Sequence, residues 1–287
     1  MRTYFDCVPC FINQTLGLVK SANGTDCQAE KVLKQVLTNL ASIDYSSAPP
    51  VMAQKIYRTL YQVYGERDFY YHEKQRFNTL ALEVLPDIIK KIIVAEDVFT
   101  EKVKLSIAAN IIDFGKNAHL TEHDVFKSLD EAITREIDQE KIQTLKNAIN
   151  KADKILYLCD NTGEIVFDRL LIESMPLKKI TCAVRGKPVI NDATLEDAKT
   201  SGLIDIVNVI ANGSDAPGTV LDDCSPEFRK AFDDADLIIA KGQGNYETLS
   251  GVENKRIIFM LLVKCSIVAR DIGCPTGMFV IHDKLCN

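Results

Sequence analysis

The chain has 287 residues and a formal net charge of −6 at pH 7, which argues against a protein that binds nucleic acid by neutralising its phosphates. Apolar residues make up 46% and charged residues 26%, as in ordinary globular proteins of one or two domains. No apolar run approaches the roughly 20 residues of a membrane helix, and the first ten residues lack a signal-peptide pattern. The nine cysteines are an odd number, which indicates reduced thiols rather than a disulfide framework. We therefore expect a cytoplasmic protein with neither a nucleic-acid nor a membrane partner.

Residues 1–150 carry helical periodicity. Apolar residues recur at three- and four-residue spacing from Val32 to Leu40, which is typical of an amphipathic helix. Pro49-Pro50 marks a break or a helix start, and Pro86 is expected to start a new helix after an earlier one ends. The charged segment from Asp130 to Ile149 is predicted to be one helix. The first half of the chain therefore predicts an all-helical domain.

Residues 151–287 have a different rhythm, in which short apolar runs alternate with helical stretches such as Leu195–Thr200 and Pro226–Phe232. This alternation indicates βαβ units and a mainly parallel sheet. Strands that are apolar on both sides fit a sheet covered by helices on both faces. We predict an α/β domain of the Rossmann-like three-layer α/β/α type, with strands at 155–159, 179–184, 206–210, 236–240, 257–263 and 278–281.

Four of the predicted strands end in polar loops that contain glycine. In a parallel sheet these loops open on the same edge, where ligands bind in open α/β sheets. The loops are Asp160–Glu164, Arg185–Thr194, Asn212–Thr219 and Lys241–Glu247.

The residue types in these loops suggest a site for a metal ion and a phosphate. Asp160, Asn161 and Asp192 offer three oxygen ligands of the kind that hard divalent cations prefer. Lys241 offers a positive charge for phosphate, and Asn245 could orient the ligand. Glu164 is a candidate general base or a partner of the metal ligands, and Glu247 could orient ligand or water.

Simpler explanations exist for each of these residues alone. An Asp after a strand is often a helix cap or a turn residue, so Asp160 could be either, and Asp192 could cap the helix that begins at Leu195. A solvated lysine is the default reading of Lys241. The coincidence of four such loops on one edge favours a site.

Two other reaction types fit less well. An aspartyl-phosphate mechanism would use Asp160 as nucleophile, but Thr162 stands where haloacid-dehalogenase phosphatases carry a second Asp. A serine triad is not indicated, because the chain has no Gly-x-Ser-x-Gly elbow. Direct attack by water at a metal site is the preferred interpretation.

Cys7-Val8-Pro9-Cys10 is a Cys-x-x-Cys motif near the start of the helical half. A thioredoxin-like role needs a preceding strand, and a structural zinc site needs further ligands, because no second Cys-x-x-Cys occurs. Packing, a redox switch and a second metal site therefore all stay open for Cys7 and Cys10.

Five motifs in this order resemble the damage-control phosphatases, over nearly the whole chain. They are Asp-Cys-Val-Pro-Cys at 6–10, Ala-Ala-Asn-Ile-Ile-Asp-Phe-Gly at 108–115, Asp-Asn-Thr-Gly-Glu at 160–164, Asn-Asp-Ala-Thr at 191–194 and Lys-Gly-Gln-Gly-Asn-Tyr at 241–246. The Cys-x-x-Cys resembles the mark of the family's first, largely prokaryotic subfamily. The resemblance assigns no role to it.

The resemblance implies an α/β/α domain joined to a helical one and a metal-dependent phosphatase that uses Mn²⁺, Ni²⁺, Co²⁺ or Mg²⁺. Its metal ligands correspond to Asp160, Asn161 and Asp192, and Lys241 would hold the substrate phosphate. Asn110 and Asp113, from the helical half, would reach the cleft and contact the substrate. The implied substrates are small phosphorylated metabolites, such as sugar phosphates, nucleotide-related compounds or damaged metabolites.

Two rival functions remain open at this point. A non-catalytic module could bind a sugar phosphate or nucleotide through the same loops. A methyltransferase activity, proposed for a eukaryotic branch of the family, is disfavoured because the loop after the first strand has one glycine instead of a glycine-rich methyl-donor motif. The sequence does not predict the oligomeric state.

Overall fold

The structure is a computed structural model that describes residues 1–111 and 121–284. The helices in these ranges are α1 (Cys7–Ser21), α2 (Asp26–Ala41), α3 (Pro49–Tyr64), α4 (Tyr71–Ile92), α5 (Val98–Ala108), α6 (Glu122–Ile133), α7 (Gln139–Lys151), α8 (Glu164–Ile172), α9 (Leu195–Thr200), α10 (Pro226–Asp234), α11 (Gly242–Leu249) and α12 (Ser266–Ile272). The strands are β1 (Ile155–Leu158), β2 (Ile180–Val184), β3 (Asn208–Ala211), β4 (Leu237–Lys241), β5 (Ile257–Leu262) and β6 (Phe279–Lys284). None of the helices in the described ranges is long and apolar enough to cross a membrane.

The six strands form one sheet in the order β3-β2-β1-β4-β5-β6. Strands β1 to β5 are parallel, and β6 pairs antiparallel with β5. All six predicted strands are present, and the predicted α/β fold with a mainly parallel sheet is confirmed. The chain runs outward from β1 to β3 and then returns to the other side of β1 with β4. This reversal creates a topological switch point at the carboxyl ends of β1 and β4, where such folds bind ligands.

Alternate residues of each central strand enter two different hydrophobic cores. In β1, Ile155 and Tyr157 pack with helices α4 to α8 on one face. Leu156 and Leu158 pack with helices α10 to α12 on the other face. The sheet therefore lies between two helical layers, which confirms the predicted three-layer arrangement and explains why its strands are apolar on both sides.

The helices of residues 1–150 divide between two cores. Helices α4 to α7 contribute to the same core as one face of the sheet. Helices α1 to α3 form a separate cluster, which also includes Val189 from the loop after β2. The buried core thus crosses residue 150, and the division into domains 1–150 and 151–287 stays a prediction.

Two helix boundaries predicted from the sequence are wrong. Helix α4 runs from Tyr71 to Ile92 without a break, so Pro86 lies inside it and does not start a new helix. The buried face of α4 continues through the proline, from Val84 to Ile88, and packing of that face offsets the lost backbone hydrogen bond. The segment predicted as one helix from Asp130 to Ile149 is two helices, because Asp138 accepts hydrogen bonds from two backbone N–H groups and caps α7.

Candidate active site

The turn after β1 brings the three predicted metal ligands together. Asp160 follows the strand, and its carbonyl oxygen accepts a hydrogen bond from the backbone N–H of Ala193 at 2.8 Å. Asn161 and Asp192 form an isolated antiparallel bridge. Neither aspartate is a helix cap, because Gly163 precedes α8 and Thr194 caps α9. The simpler capping explanations are therefore wrong for both residues.

Gly242 opens space for the Asp160 carboxylate at the switch point. A Cβ atom on Gly242 would lie 1.8 Å from Asp160 Oδ2, which no side chain tolerates. The φ angle of Gly242 is +77°, a conformation that favours glycine. Because Gly242 has no side chain, the Asp160 carboxylate, which follows β1, fits beside the end of β4.

Two asparagine side chains join Asp160 to Glu164. Asn110 Nδ2 donates to Asp160 Oδ2 at 2.8 Å and to Glu164 Oε2 at 2.7 Å. Asn161 Nδ2 donates to the same two oxygens at 2.7 and 3.1 Å. Both amides use their N–H groups here, so the amide oxygen of Asn161 faces away from the carboxylates and suits a cation. Asn110 comes from the helical half, as the family resemblance implies.

Lys241 lies beneath this layer and is fully buried. Its Nζ donates to Glu164 Oε1 at 2.6 Å, to Asp168 Oδ1 at 2.6 Å and to the carbonyl oxygen of Ser106 at 2.9 Å. A lysine ammonium has three N–H donors, so all of them are used by the protein. The structure therefore shows Lys241 as a buried counter-ion. The phosphate contact expected for it stays a prediction.

Arg185 is a site residue that the sequence reasoning missed. Its Nε donates to Asp192 Oδ2 at 2.5 Å, and its Nη2 lies 3.7 Å from Asp160 Oδ1. Nη2 also contacts Asn245 Oδ1 at 3.4 Å. Asn245 is fully buried and donates to the carbonyl oxygens of Lys241 and Cys159, so it ties β4 to β1 rather than facing a ligand.

The negative charge of this cluster exceeds the positive charge. Among the described residues it contains four buried carboxylates but two cations, Lys241 and Arg185. Burial and the neighbouring charges of Glu164 and Asp192 raise the pKa of Asp160 well above its ordinary value. Burial also raises the pKa of Asp192, although the Arg185 charge opposes this shift. One net negative charge therefore remains at Asp160 and Asp192, which share Arg185, and a second at Glu164 and Asp168, which share Lys241. An excess of negative charge beside oxygen ligands fits a divalent cation.

The set of side chains that could bind a metal ion contains few acidic residues. The described parts of the chain contain no group of three or more His, Cys, Asp or Glu side chains arranged to hold a metal ion. The predicted ligand set has two carboxylates, and its third member is the amide of Asn161. A cation held here would need oxygens from water or substrate to complete its coordination.

A cavity of about 340 Å³ opens above the cluster. Its floor includes Asp160, Asn161, Asp192 and Asn110. Glu164, Lys241 and Asn245 do not line it and lie behind the floor, while Asp113 lies outside the described residues. Its rim comes mainly from α1, α3 and the loops after β2, β3 and β5, and includes Cys7, Cys10, Phe11, Pro49, Pro50, Ile190, Pro217, Lys264 and Cys265.

A second set of buried residues that the sequence reasoning missed supports Lys241 from the side opposite the cavity. Asp168 Oδ1 accepts hydrogen bonds from Ser106 at 2.6 Å and from the hydroxyl of Tyr157 at 2.8 Å. Asp168 follows Glu164 by one helical turn, so the i, i+4 spacing places both carboxylates on one face of α8, but it does not indicate which distant cation pairs with them. No local sequence pattern predicts the contact between Ser106 and Lys241, because these residues are 135 positions apart in the sequence.

Comparison with known proteins places the chain in a family. Residues 3–280 match the family model described as the damage-control phosphatase ARMT1-like domain. A damage-control phosphatase from Archaeoglobus fulgidus is 36% identical over 284 residues, which cover 96% of both chains. A damage-control phosphatase from Pyrococcus horikoshii is 35% identical over 98% of this chain and 97% of the relative.

Structural similarity extends over the same length. The crystal structure of a DUF89 family protein from Pyrococcus horikoshii superimposes with a TM-score of 0.89 at 33% sequence identity and covers 99% of each chain. The family model and the two named relatives confirm the family that the five sequence motifs predict. We conclude that the chain belongs to the damage-control phosphatase family.

Proposed function

We propose that this protein is a metal-dependent phosphatase that hydrolyses phosphomonoesters of small metabolites. One observation carries the proposal: Asp160, Asn161 and Asp192 meet at the topological switch point, on the floor of a cavity, where the two carboxylates share a single arginine. Family membership supports the phosphatase reaction. The predicted cytoplasmic location stays a prediction.

Asp160, Asn161 and Asp192 are the residues we assign to the cation, with Mn²⁺, Co²⁺, Ni²⁺ and Mg²⁺ as candidates. A bound divalent cation polarises a phosphoryl oxygen and makes a water molecule more acidic. Arg185 holds Asp192 in place through its Nε at 2.5 Å, and Lys241 does the same for Glu164 at 2.6 Å. The side chains of Arg185 and Lys241 therefore hold these carboxylates in position, and we assign neither of them to bind the substrate.

The phosphate site that we infer lies at the start of α11, beside Asp160. Gln243 and Gly244 from the first turn of this helix line the cavity. Backbone N–H groups at a helix N-terminus attract anions, and the adjacent cation would add to this attraction. Asn110 lies on the same floor, and because Asp160 and Glu164 take both of its N–H groups, its amide oxygen is the atom we assign to accept from a hydroxyl of the substrate.

Glu164 acts in this proposal as a positioning residue rather than a general base. Both of its carboxylate oxygens accept hydrogen bonds, from Lys241 and from the two asparagines, and it does not line the cavity. It holds Asn161 and Asn110 at the orientation in which they meet Asp160. This corresponds to the second of the two roles predicted for it from the sequence.

The test measures phosphate release by metal-stripped protein that is resupplied with each cation, across sugar phosphates and nucleotides. Asp160→Ala should abolish the metal-dependent release. Asp153→Ala is the matched control, because Asp153 lies at the opposite end of β1 and is exposed. Metal-dependent activity that survives in Asp160→Ala would contradict the assignment. Metal binding without release from any substrate would favour the non-catalytic binding module.

A further inference from the structure

Three thiols lie at the rim of the cavity. Cys7 and Cys10 belong to the first turn of α1, and Cys265 precedes α12. All three line the cavity whose floor carries Asp160 and Asp192. The proposed hydrolysis does not use any of them, so their position calls for a separate explanation.

Cys265 has a structural role of its own. Its Sγ accepts a hydrogen bond from the backbone N–H of Ile267 at 3.4 Å and caps α12. The three thiols also do not form a metal site, because the described residues contain no group of three or more Cys, His, Asp or Glu side chains that could hold one. Cys7 and Cys10 remain as a pair without an assigned role.

The spacing of Cys7 and Cys10 suits a disulfide. Residues three apart in an α-helix have Cα atoms about 5 Å apart, which lies within the usual range for bridged cysteines. The helix begins at Cys7, so rearranging its first turn disturbs few backbone hydrogen bonds. The two thiols therefore can be joined with little movement of the backbone.

The two thiols differ in their surroundings, as the partners of a redox pair commonly do. Cys10 is exposed, and oxidants in solution therefore reach it first. Cys7 is half-buried, and burial raises the pKa of its thiol above the ordinary value. Cys10 would be the thiol whose sulfur attacks the oxidant, and Cys7 would be the one that resolves the product.

We propose that Cys7 and Cys10 form a reversible disulfide at the cavity rim, made by a hydroperoxide, and that this disulfide weakens substrate binding. In the first step the Cys10 sulfur takes one oxygen from hydrogen peroxide, which gives a sulfenic acid and releases water. In the second step the Cys7 sulfur attacks the Cys10 sulfur, and the sulfenic hydroxyl leaves as water with the Cys7 proton. Two thiols are thus oxidised to one disulfide, and one peroxide is reduced to two waters. The effect on substrate rests on the proposed function.

The first measurement is the mass of the protein after treatment with limiting hydrogen peroxide, followed by peptide mapping. We expect a loss of two hydrogens, a crosslink between Cys7 and Cys10, and full reversal by dithiothreitol. Cys27→Ser is the matched control, because Cys27 is exposed near the start of α2 but does not line the cavity, and it should behave like the wild type. In Cys7→Ser, Cys10 should be oxidised further, to the sulfinic acid, since it has no partner.

A crosslink to Cys265, or the absence of any crosslink, would overturn the pairing.

The second measurement compares phosphatase kinetics of the reduced and the crosslinked protein. We expect the crosslink to raise KM about fivefold with kcat unchanged, because the thiols line the rim and not the floor. Equal KM values would overturn the effect on substrate. A protein without any phosphatase activity would overturn the proposed function but would leave the result of the mass measurement intact.

Discussion

The floor and the rim of the cavity are built in opposite ways. The floor rests on buried charges at the strand ends, and each of Lys241 and Arg185 contacts two carboxylates. The rim is largely apolar and is carried by α1 and α3, which belong to a separate hydrophobic cluster. Within the rim, α3 is joined to the loop after β3 by polar contacts, in which Gln54 and Arg58 bind Asp215.

This difference suggests that the floor and the rim of the cavity have different functions. Buried ion pairs hold their positions, because breaking any one of these contacts leaves a further uncompensated charge. Apolar contacts with a few exposed ion pairs tolerate adjustment at low cost. We therefore expect changes in the floor to affect stability and turnover, and changes in the rim to affect KM. Four predictions test this contrast, in order of decreasing effect.

Lys241→Met should cause the largest loss of stability. It removes the counter-ion of Glu164 and Asp168 and leaves two buried carboxylates with neutral hydrogen-bond donors alone. We expect the free energy of unfolding in urea to fall by about 3–5 kcal/mol. Lys264→Met is the matched control at the exposed rim and should change stability by less than about 0.5 kcal/mol. Equal stability of the two variants would contradict the role of Lys241 as a buried counter-ion.

Gly242→Ala should disrupt the floor through steric conflict. The added Cβ meets the Asp160 carboxylate, and the φ angle of +77° disfavours alanine. We expect a stability loss of about 1–3 kcal/mol and a fall in kcat of at least tenfold, because the ligand carboxylate must move. Gly251→Ala serves as control, since a Cβ there has no neighbour within 4 Å. A fully active Gly242→Ala protein would show that the position of Asp160 does not matter.

Glu247 on the cavity wall should make stability depend on pH. Burial raises the pKa of Glu247 from 4.5 to about 7. Between these values the folded protein keeps a proton that the unfolded chain has released. The free energy of unfolding should therefore fall, by about 1–2 kcal/mol, as pH rises from about 5 to about 8.

Comparing Glu247→Gln with the wild type isolates this effect. The variant carries no titrating group at this position, so the corresponding slope of the unfolding free energy against pH should disappear. Glu253→Gln, at an exposed glutamate, should keep the slope. An identical pH dependence in wild type and Glu247→Gln would contradict the prediction.

Arg58→Met should have the smallest effect and should act on the rim. Arg58 donates to both carboxylate oxygens of Asp215, at 2.7 and 2.9 Å, but about half of its side chain is exposed. We expect a stability loss of about 0.5–1 kcal/mol and a rise in KM of a few fold, with kcat unchanged. Steady-state kinetics measures both constants. A fall in kcat without a change in KM would show that α3 acts on the floor.

The sequence was sufficient for the sheet and for bringing Asp160, Asn161 and Asp192 to one edge of it. The strand ends and their polar loops follow from alternating apolar runs and from the rule that parallel strands share one edge. Pro86 was misleading because local propensity predicted a helix start where tertiary packing maintains a continuous helix.

The roles of the charged residues were harder to predict. The sequence predicts a phosphate contact for Lys241, yet this side chain is buried among acceptors from α5 and α8. Arg185 directly follows β2 and lies in one of the four polar loops at the strand ends. Its ion pair with Asp192 depends on the conformation of that loop. Such contacts depend on which distant groups are left unpaired in the folded state, and local sequence patterns do not contain this information.

The sheet order also governs when the site can assemble during synthesis. β1 is central, but its neighbour β4 begins at Leu237, so a growing chain presents Asp160 and Asp192 long before Lys241 exists. The contact between Lys241 and Ser106 closes a loop of 135 residues, which slows folding. Until the ribosome has released β4, Glu164 and Asp168 lack their counter-ion. A nascent chain of this protein therefore completes the ion pairs that support the cavity floor only after β4 has been synthesised.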